Sequence, residues 1–393
     1  MLSVMVLFNS LKNSGYRLLL YAMTKQESSL IGKKSIHNAS FEKTKVAPKP
    51  IRFWIDGKCF NIYPMKKRTK GYDKTGVHFL NDTCNQNDVV FITKDNGMIT
   101  SSLRLPSFYC KKLKFQMMND IENMMEETNT HISIPKIGEI DKLKILGDNK
   151  QQIKNAFQGI LSLISDIRNE TRPLQFLSIP LCNEEIKSNF MEFKKKVLQE
   201  KDIKGIDETL FISPLKLHLT VTVMVLIDHG EKQEAIKTLQ DYQKNVLKPL
   251  MEKNGPLKIQ VTGIECMNNK YEKVHVLYAK AKIINETVAL NLQNVVNGLS
   301  DYFYERGLLK QYQENITVHM TLMNTKYRED SKMHPNSRRK HRFAKRIPFD
   351  ARTIMKKYKD FDFGTCDFNR IHISIMSSVD KTGFYEPLAT IEA

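Results

Sequence analysis

No stretch of this 393-residue sequence approaches the ~18 consecutive apolar residues that a membrane-crossing helix requires, so a helical span is excluded and no membrane partner is expected. Cysteine is sparse and dispersed. Cys59, Cys84, Cys110, Cys182, Cys266 and Cys366 form no C-x-x-C pair and no local cluster with histidine. That spacing argues against a structural zinc site and against the dense disulfide scaffold of small secreted domains. No metal and no other cofactor is expected, and a reducing compartment, cytosol or nucleus, is the simplest location. Acids are in deficit: 43 Asp and Glu against 61 Lys and Arg leave a net charge of +18. An excess of that size favours polyanionic partners, nucleic acid first, because each neutralised phosphate releases counterions.

What is present reads as an ordinary folded chain, 41% hydrophobic and 26% charged, long enough for two or three domains. Residues 1–49 read as a disordered N-terminal extension. Its apolar runs Val4–Phe8 and Leu18–Ala22 are interrupted by Lys12 and Arg17, an order that fits a signal peptide poorly. A mitochondrial transit peptide over residues 1–24 is the minority alternative, and Lys25–Pro50 reads as a linker. Residues 50–96 form a variable segment, with a hairpin over Ile51–Pro64 turning at Asp56-Gly57 and a solvated basic loop at Lys66–Lys70.

From residue 97 to 170 the pattern predicts strand–helix–helix–strand–strand–helix. The strands fall on Met98–Leu105, His131–Pro135 and Leu143–Leu146, and the first two helices on Pro106–Leu113 and Met118–Thr128. Asp148 is placed to cap the last helix, whose Ile153, Phe157, Ile160, Ile164 and Ile167 recur at helical spacing. This order resembles that of a KH domain. From residue 171 to 393 the chain reads as one α+β domain. Its strands are Leu174–Leu181, Lys216–Leu226, Leu257–Glu265, His275–Ile283, Ile316–Met323 and Ile371–Met376. Its helices are Glu184–Gln199, Glu231–Lys253 and Glu286–Arg306.

The chemistry lies in a motif that appears twice. In Lys216–Thr222 strand alternation sends Leu217, Leu219, Val221 and Val223 one way and His218, Thr220 and Thr222 the other. In Ile316–Leu322 the same alternation separates Ile316, Val318, Met320 and Leu322 from Thr317, His319 and Thr321. Paired imidazoles suit phosphodiester chemistry, because near pH 6.5 one ring can accept a proton while the other donates one. Threonine hydroxyls beside them can donate to non-bridging phosphate oxygens, and no metal is required. Single H-x-[ST] triplets arise by chance, and two more occur at His131-Ile132-Ser133 and His372-Ile373-Ser374. From pattern alone, a paired site and two unrelated core histidines weigh equally.

The two H-x-T strands resemble the two-histidine phosphoesterase superfamily, which includes the RNA ligase-like cyclic phosphodiesterases. Glu127–Lys136, Lys216–Thr220, Val276–Lys280, His319–Thr325, Phe361–Gly364 and Ile371–Ser374 are similar to a family that joins a KH domain to such a phosphoesterase domain. The resemblance implies an α+β fold: a degenerate KH-like domain, then a phosphoesterase domain with duplicated β-sheet halves around a cleft. It implies His218 and His319 as the acid/base pair and Thr220 and Thr321 as phosphate holders. It further implies a subunit of a nuclear transcription coactivator and DNA alkylation repair complex, with helicase and ubiquitin-binding subunits and RNA or oligonucleotide phosphate as partners. An active metal-independent 2′,3′-cyclic or 2′,5′-phosphodiesterase is the alternative. His372 and Ser374 are assigned a structural role on a neighbouring strand.

One departure stands out. The G-x-x-G loop with which KH domains hold a nucleic-acid backbone falls on Phe115-Gln116-Met117-Met118, where both glycines are replaced by bulky residues. A packing or protein-binding role is therefore expected there, rather than an RNA grip. The basic run from Lys332 to Arg346 is read as a nuclear localisation signal and a phosphate-guiding rim, narrowly ahead of a solvated loop.

Overall fold

The Asp56-Gly57 pair makes the turn expected of it. Its φ angles of 50° and 73° both lie in the left-handed region that a two-residue hairpin turn needs. It joins β1 (Ile51–Ile55) to β2 (Lys58–Ile62). A computed structural model of the chain describes residues 51–62, 89–93, 97–136, 142–181, 183–200, 202–268, 270–284, 286–287, 290–313, 316–328 and 346–393. The N-terminal extension, the Lys66–Lys70 run and all of the Lys332–Arg346 run except Arg346 lie outside the described residues. Hairpin alternation sends Phe53, Ile55, Phe60 and Ile62 into a smaller core. Trp54 faces the larger core, and its Nε1 donates to the Arg306 carbonyl at 2.8 Å.

The smaller core continues through β3 (Phe91–Thr93), β4 (Ile99–Leu103), α1 (Ser107–Gln116), α2 (Met118–Thr128), β5 (Thr130–Ser133), β6 (Leu143–Gly147) and α3 (Lys150–Glu170). From β4 onward this is the element order read from the sequence. The strands form an antiparallel sheet in the order β3-β4-β6-β5, and all five periodic apolar positions of α3 are buried. The cap of α3 is Asn149 rather than Asp148. Asn149 is extended, its side chain accepts from the Gln152 amide at 2.9 Å, and Gln152 reaches back to complete a capping box. Phe115 and Gln116 belong to the last turn of α1 and Met118 opens α2, so Met117 alone separates the helices. The Phe115–Met118 segment is a helix-to-helix corner, with Phe115 71% and Met118 41% exposed.

The larger core is built by β7 (Gln175–Pro180), α4 (Glu184–Gln199), β8 (His218–Met224), α5 (His229–Tyr242), α6 (Lys248–Asn254), β9 (Lys258–Cys266), β10 (Val276–Ile283), α7 (Leu292–Glu305), β11 (His319–Asn324), α8 (Arg352–Tyr358), β12 (Asp362–Asp367), β13 (Arg370–Val379) and β14 (Tyr385–Glu392). Eight strands form one antiparallel sheet in the order β12-β9-β10-β11-β8-β7-β13-β14. Two quartets thus meet at β11 and β8, the strands that carry the repeated motif. The helix expected over Glu231–Lys253 is interrupted by a π-helical turn at Gln243–Leu247. Pro249, in the first turn of α6, has no N–H and crowds the carbonyl four residues back, which widens the turn before it. Likewise α7 starts at Leu292, where Asn291 caps it, and not at Glu286.

Arg168, near the end of α3, is buried between the two cores. Its Nη1 donates to the Tyr109 hydroxyl at 3.0 Å and to Glu231 Oε1 at 2.5 Å, and its guanidinium lies 5.2 Å from the Phe53 ring centre. The other Glu231 oxygen accepts from the Ile227 amide at 2.8 Å. Burial pushes the Glu231 carboxyl up, and the neighbouring guanidinium opposes that rise.

Candidate functional site

Strand β8 begins at His218 because Ser213 caps a 3₁₀ turn over Pro214–Lys216, and β11 begins at His319. Both start later than the sequence pattern implies. Leu219 and Met320 are fully buried and are register partners across the β8–β11 seam. Antiparallel pairing therefore sets His319 opposite Thr220 and Thr321 opposite His218, one residue to either side, all on the face away from the core. The structure brings His218, Thr220, His319 and Thr321 together on two adjacent strands. Two expected positions differ: Thr222 is buried, and Val223 is 37% exposed with Met224 buried in its stead. The β7–β8 register shifts at Leu177/Ser178, and the alternation of faces changes there.

The two imidazoles are held in the same way. His218 Nδ1 lies 2.7 Å from the Lys216 carbonyl, and His319 Nδ1 lies 2.6 Å from the Thr317 carbonyl. A carbonyl only accepts, so in each ring Nδ1 carries the hydrogen and Nε2 presents a lone pair. The Thr220 hydroxyl, 3.0 Å from His218 Nε2, donates to it. Burial lowers the His218 pKa to about 4; the nearby charges of Lys326 and His319 act in the same direction, against the backbone hydrogen bond. His319 is lowered by burial as well. Both rings are therefore neutral at pH 7.

Aromatic rings and amines surround the pair. The His218 ring centre is 5.1 Å from that of Phe176, 5.5 Å from Tyr385 and 6.3 Å from Phe384, and the Tyr278 ring stands edge-on to His319 at 5.1 Å. Lys216 Nζ lies 4.9 Å from the Tyr385 ring centre and Lys326 Nζ 4.7 Å from that of Tyr327. The Tyr327 and Tyr385 hydroxyls share a hydrogen bond. Burial and then the charge of Arg346 push the Lys326 ammonium down. Sequence reasoning passed over this shell, although Tyr278 and Lys326 sit inside or beside the segments that carried the resemblance. His131 lies on β5 of the smaller sheet, exposed. His372 is buried on β13, and Ser374 pairs its hydroxyl with that of Ser178 at 2.9 Å. Among the described residues no group of three or more His, Cys, Asp or Glu side chains is gathered where a metal ion could be held.

Residues 173–393 match the family described as the AKAP7 2′5′ RNA ligase-like domain. The chain is 31% identical over 296 residues to activating signal cointegrator 1 complex subunit 1 of Mus musculus, covering 72% of this chain and 81% of the mouse protein. A crystal structure of a Thermus thermophilus protein is 18% identical and covers 56% of this chain and 97% of its own, with a TM-score of 0.31.

Proposed function

This chain belongs to the family of activating signal cointegrator 1 complex subunit 1, its larger part an AKAP7 2′5′ RNA ligase-like domain, and from that premise we propose a subunit with an RNA-binding, phosphoesterase-like cleft. In this reading the chain serves a nuclear transcription coactivator and DNA alkylation repair complex, beside helicase and ubiquitin-binding subunits. Residues 97–170 act as a KH-like domain whose Phe115–Met118 corner packs or binds protein, and residues 171–393 act as the phosphoesterase-like domain. His218 and His319 are the acid/base pair and Thr220 and Thr321 hold phosphate. One observation carries the assignment: two H-x-T motifs, side by side across one seam, with both Nδ1 atoms tied to backbone and both Nε2 atoms presenting lone pairs, that of His218 to the Thr220 hydroxyl.

That same observation favours turnover over mere binding. With a 2′,3′-cyclic phosphate in the cleft, one neutral imidazole takes a proton from water as its oxygen bonds to phosphorus. The other imidazole, protonated, delivers its proton to the ribose oxygen as the P–O bond breaks. The threonine hydroxyls donate to the non-bridging oxygens, where charge accumulates. A 2′,5′ linkage is cleaved in the same way, by water or by a neighbouring ribose hydroxyl.

The test incubates the purified chain with 2′,3′-cyclic phosphate and 2′,5′-linked oligonucleotides in a chelator. Turnover is expected to persist. Binding without turnover leaves a reader of RNA ends, and neither binding nor turnover refutes the cleft. The lowered imidazoles also fix a pH signature. The base form of His218 appears as pH rises through about 4, and the protonated partner is lost above a value lying below 6.5. The kcat/KM profile is therefore expected to be bell-shaped with its maximum on the acid side of pH 6.5, the limbs belonging to the pair rather than to either ring. A maximum above pH 8 contradicts the assignment.

A further inference from the structure

The face that carries the H-x-T pair holds one more histidine, and its surroundings are unusual. His372 is 7% exposed, and neither of its ring nitrogens has a hydrogen-bond partner. An unmade buried donor and acceptor cost free energy that an apolar residue of similar size avoids. The register explains what such a residue could serve. His372 is opposite Ser178, Ser178 is opposite Thr220, and Thr220 falls opposite His319 across the seam. A polar row thus runs from the proposed site across β8 and β7 to β13, with strands ~4.8 Å apart. The Ser178 and Ser374 hydroxyls share one hydrogen bond, so one of their two hydrogens is left to donate elsewhere.

The far end of this row is covered by one ring. The Phe384 ring centre is 5.6 Å from that of His372 and 6.3 Å from that of His218, so one ring packs edge-on to both imidazoles. Phe384 belongs to the tip of the β13–β14 hairpin, a turn closed by the Asp380 amide on the Phe384 carbonyl and by Gly383 at φ 83°. The tip residues Lys381 and Thr382 are exposed, and Gly383 approaches the side chain of Leu215. The β13–β14 register breaks between Ser374 and Val379, which separates the tip from the regular ladder. Arg370, Glu392 and Asp380 are the charged groups that act on His372, one cation and two acids.

We propose that the Asp380–Phe384 tip is a lid over a second phosphate subsite: with the lid raised, His372 and Ser178 take the phosphate next to the one held by Thr220 and Thr321. The inference rests on the proposed cleft and names its ligand more closely, as an oligonucleotide carrying at least two phosphates. A phosphate there accepts from the ring's N–H, one of the two nitrogens that the closed form leaves unmet.

The test uses the full chain labelled with ¹⁵N-histidine and two probes. One is a 2′,5′-linked diadenylate bearing a terminal phosphate at each end, and the other is the same dinucleotide without terminal phosphates. The phosphorylated probe is expected to shift the ring-nitrogen signals of His218, His319 and His372, and the bare dinucleotide only the first two. Wild-type protein is expected to prefer the phosphorylated probe by about tenfold, the effect of one charge-assisted contact. That preference collapses toward unity in His372→Phe, which fills the apolar surroundings, and survives in part in His372→Gln, which keeps an N–H. If His218 and His319 respond while His372 does not, the subsite is refuted and the cleft stands. If none responds, both are refuted. A preference undiminished in His372→Phe also overturns the subsite.

Discussion

Replacing His319 by alanine is expected to lower kcat on a 2′,3′-cyclic or 2′,5′-linked substrate by about 10²–10⁴-fold, and replacing His218 by a similar factor, in the presence of a chelator. In the proposed mechanism the two rings serve one proton circuit, so losing either breaks both transfers. The double variant is accordingly expected to be little slower than the worse single one, the non-additive signature of groups that act as a unit. Thr321→Val removes a donor from the developing charge and should cost about 10²–10³-fold in kcat. The measurement is steady-state kinetics with a folded-state control by circular dichroism, because all of these side chains lie on the cleft face rather than in the core. A double variant that retains wild-type turnover assigns the reaction to another site.

The largest expected loss of stability lies elsewhere. Glu231→Ala is expected to destabilise the chain by about 3–5 kcal/mol, since it leaves the Arg168 guanidinium buried without its carboxylate. Arg168→Met with Glu231→Leu removes both charges and fills the space, and should recover most of that loss. Urea unfolding of the cycle formed by wild type, Arg168→Met, Glu231→Leu and the double variant, with Glu231→Ala alongside, measures it. A single-variant effect below about 1 kcal/mol would place the pair among solvent-exposed ion pairs in its energetics and contradict its burial. Because Arg168 sits on α3 and Glu231 on α5, the same cycle reports how firmly the smaller core is fastened to the larger.

Much of this architecture was readable from periodicity. Helix α2 spans Met118–Thr128 and α4 spans Glu184–Gln199 as the pattern predicts, and Asp56-Gly57 specified its turn through the left-handed φ angles those residues tolerate. The H-x-T pair was readable because alternation on a strand is a local property. Its register was not, since the pairing of Leu219 with Met320 joins positions about a hundred residues apart and is set by tertiary packing. The strands Asp362–Asp367 and Tyr385–Glu392 were missed for a related reason. Asp362 and Asp367 bound the first, and Pro387 interrupts the second at the sheet edge, where an unpaired N–H is no loss. The aromatic shell of His218 gave no local signal at all, for Phe176, Phe384 and Tyr385 reach it from β7 and the β13–β14 hairpin.

The seam between β8 and β11 has a consequence for evolution and engineering alike. Each quartet of strands carries one imidazole, and the pairing at Leu219 and Met320 couples them, so the spacing of the proposed acid and base is governed from the back of the sheet. A change of volume at either of those two hidden side chains would splay or close the quartets like the jaws of a caliper. Reaction rate would then respond to substitutions that touch neither solvent nor substrate.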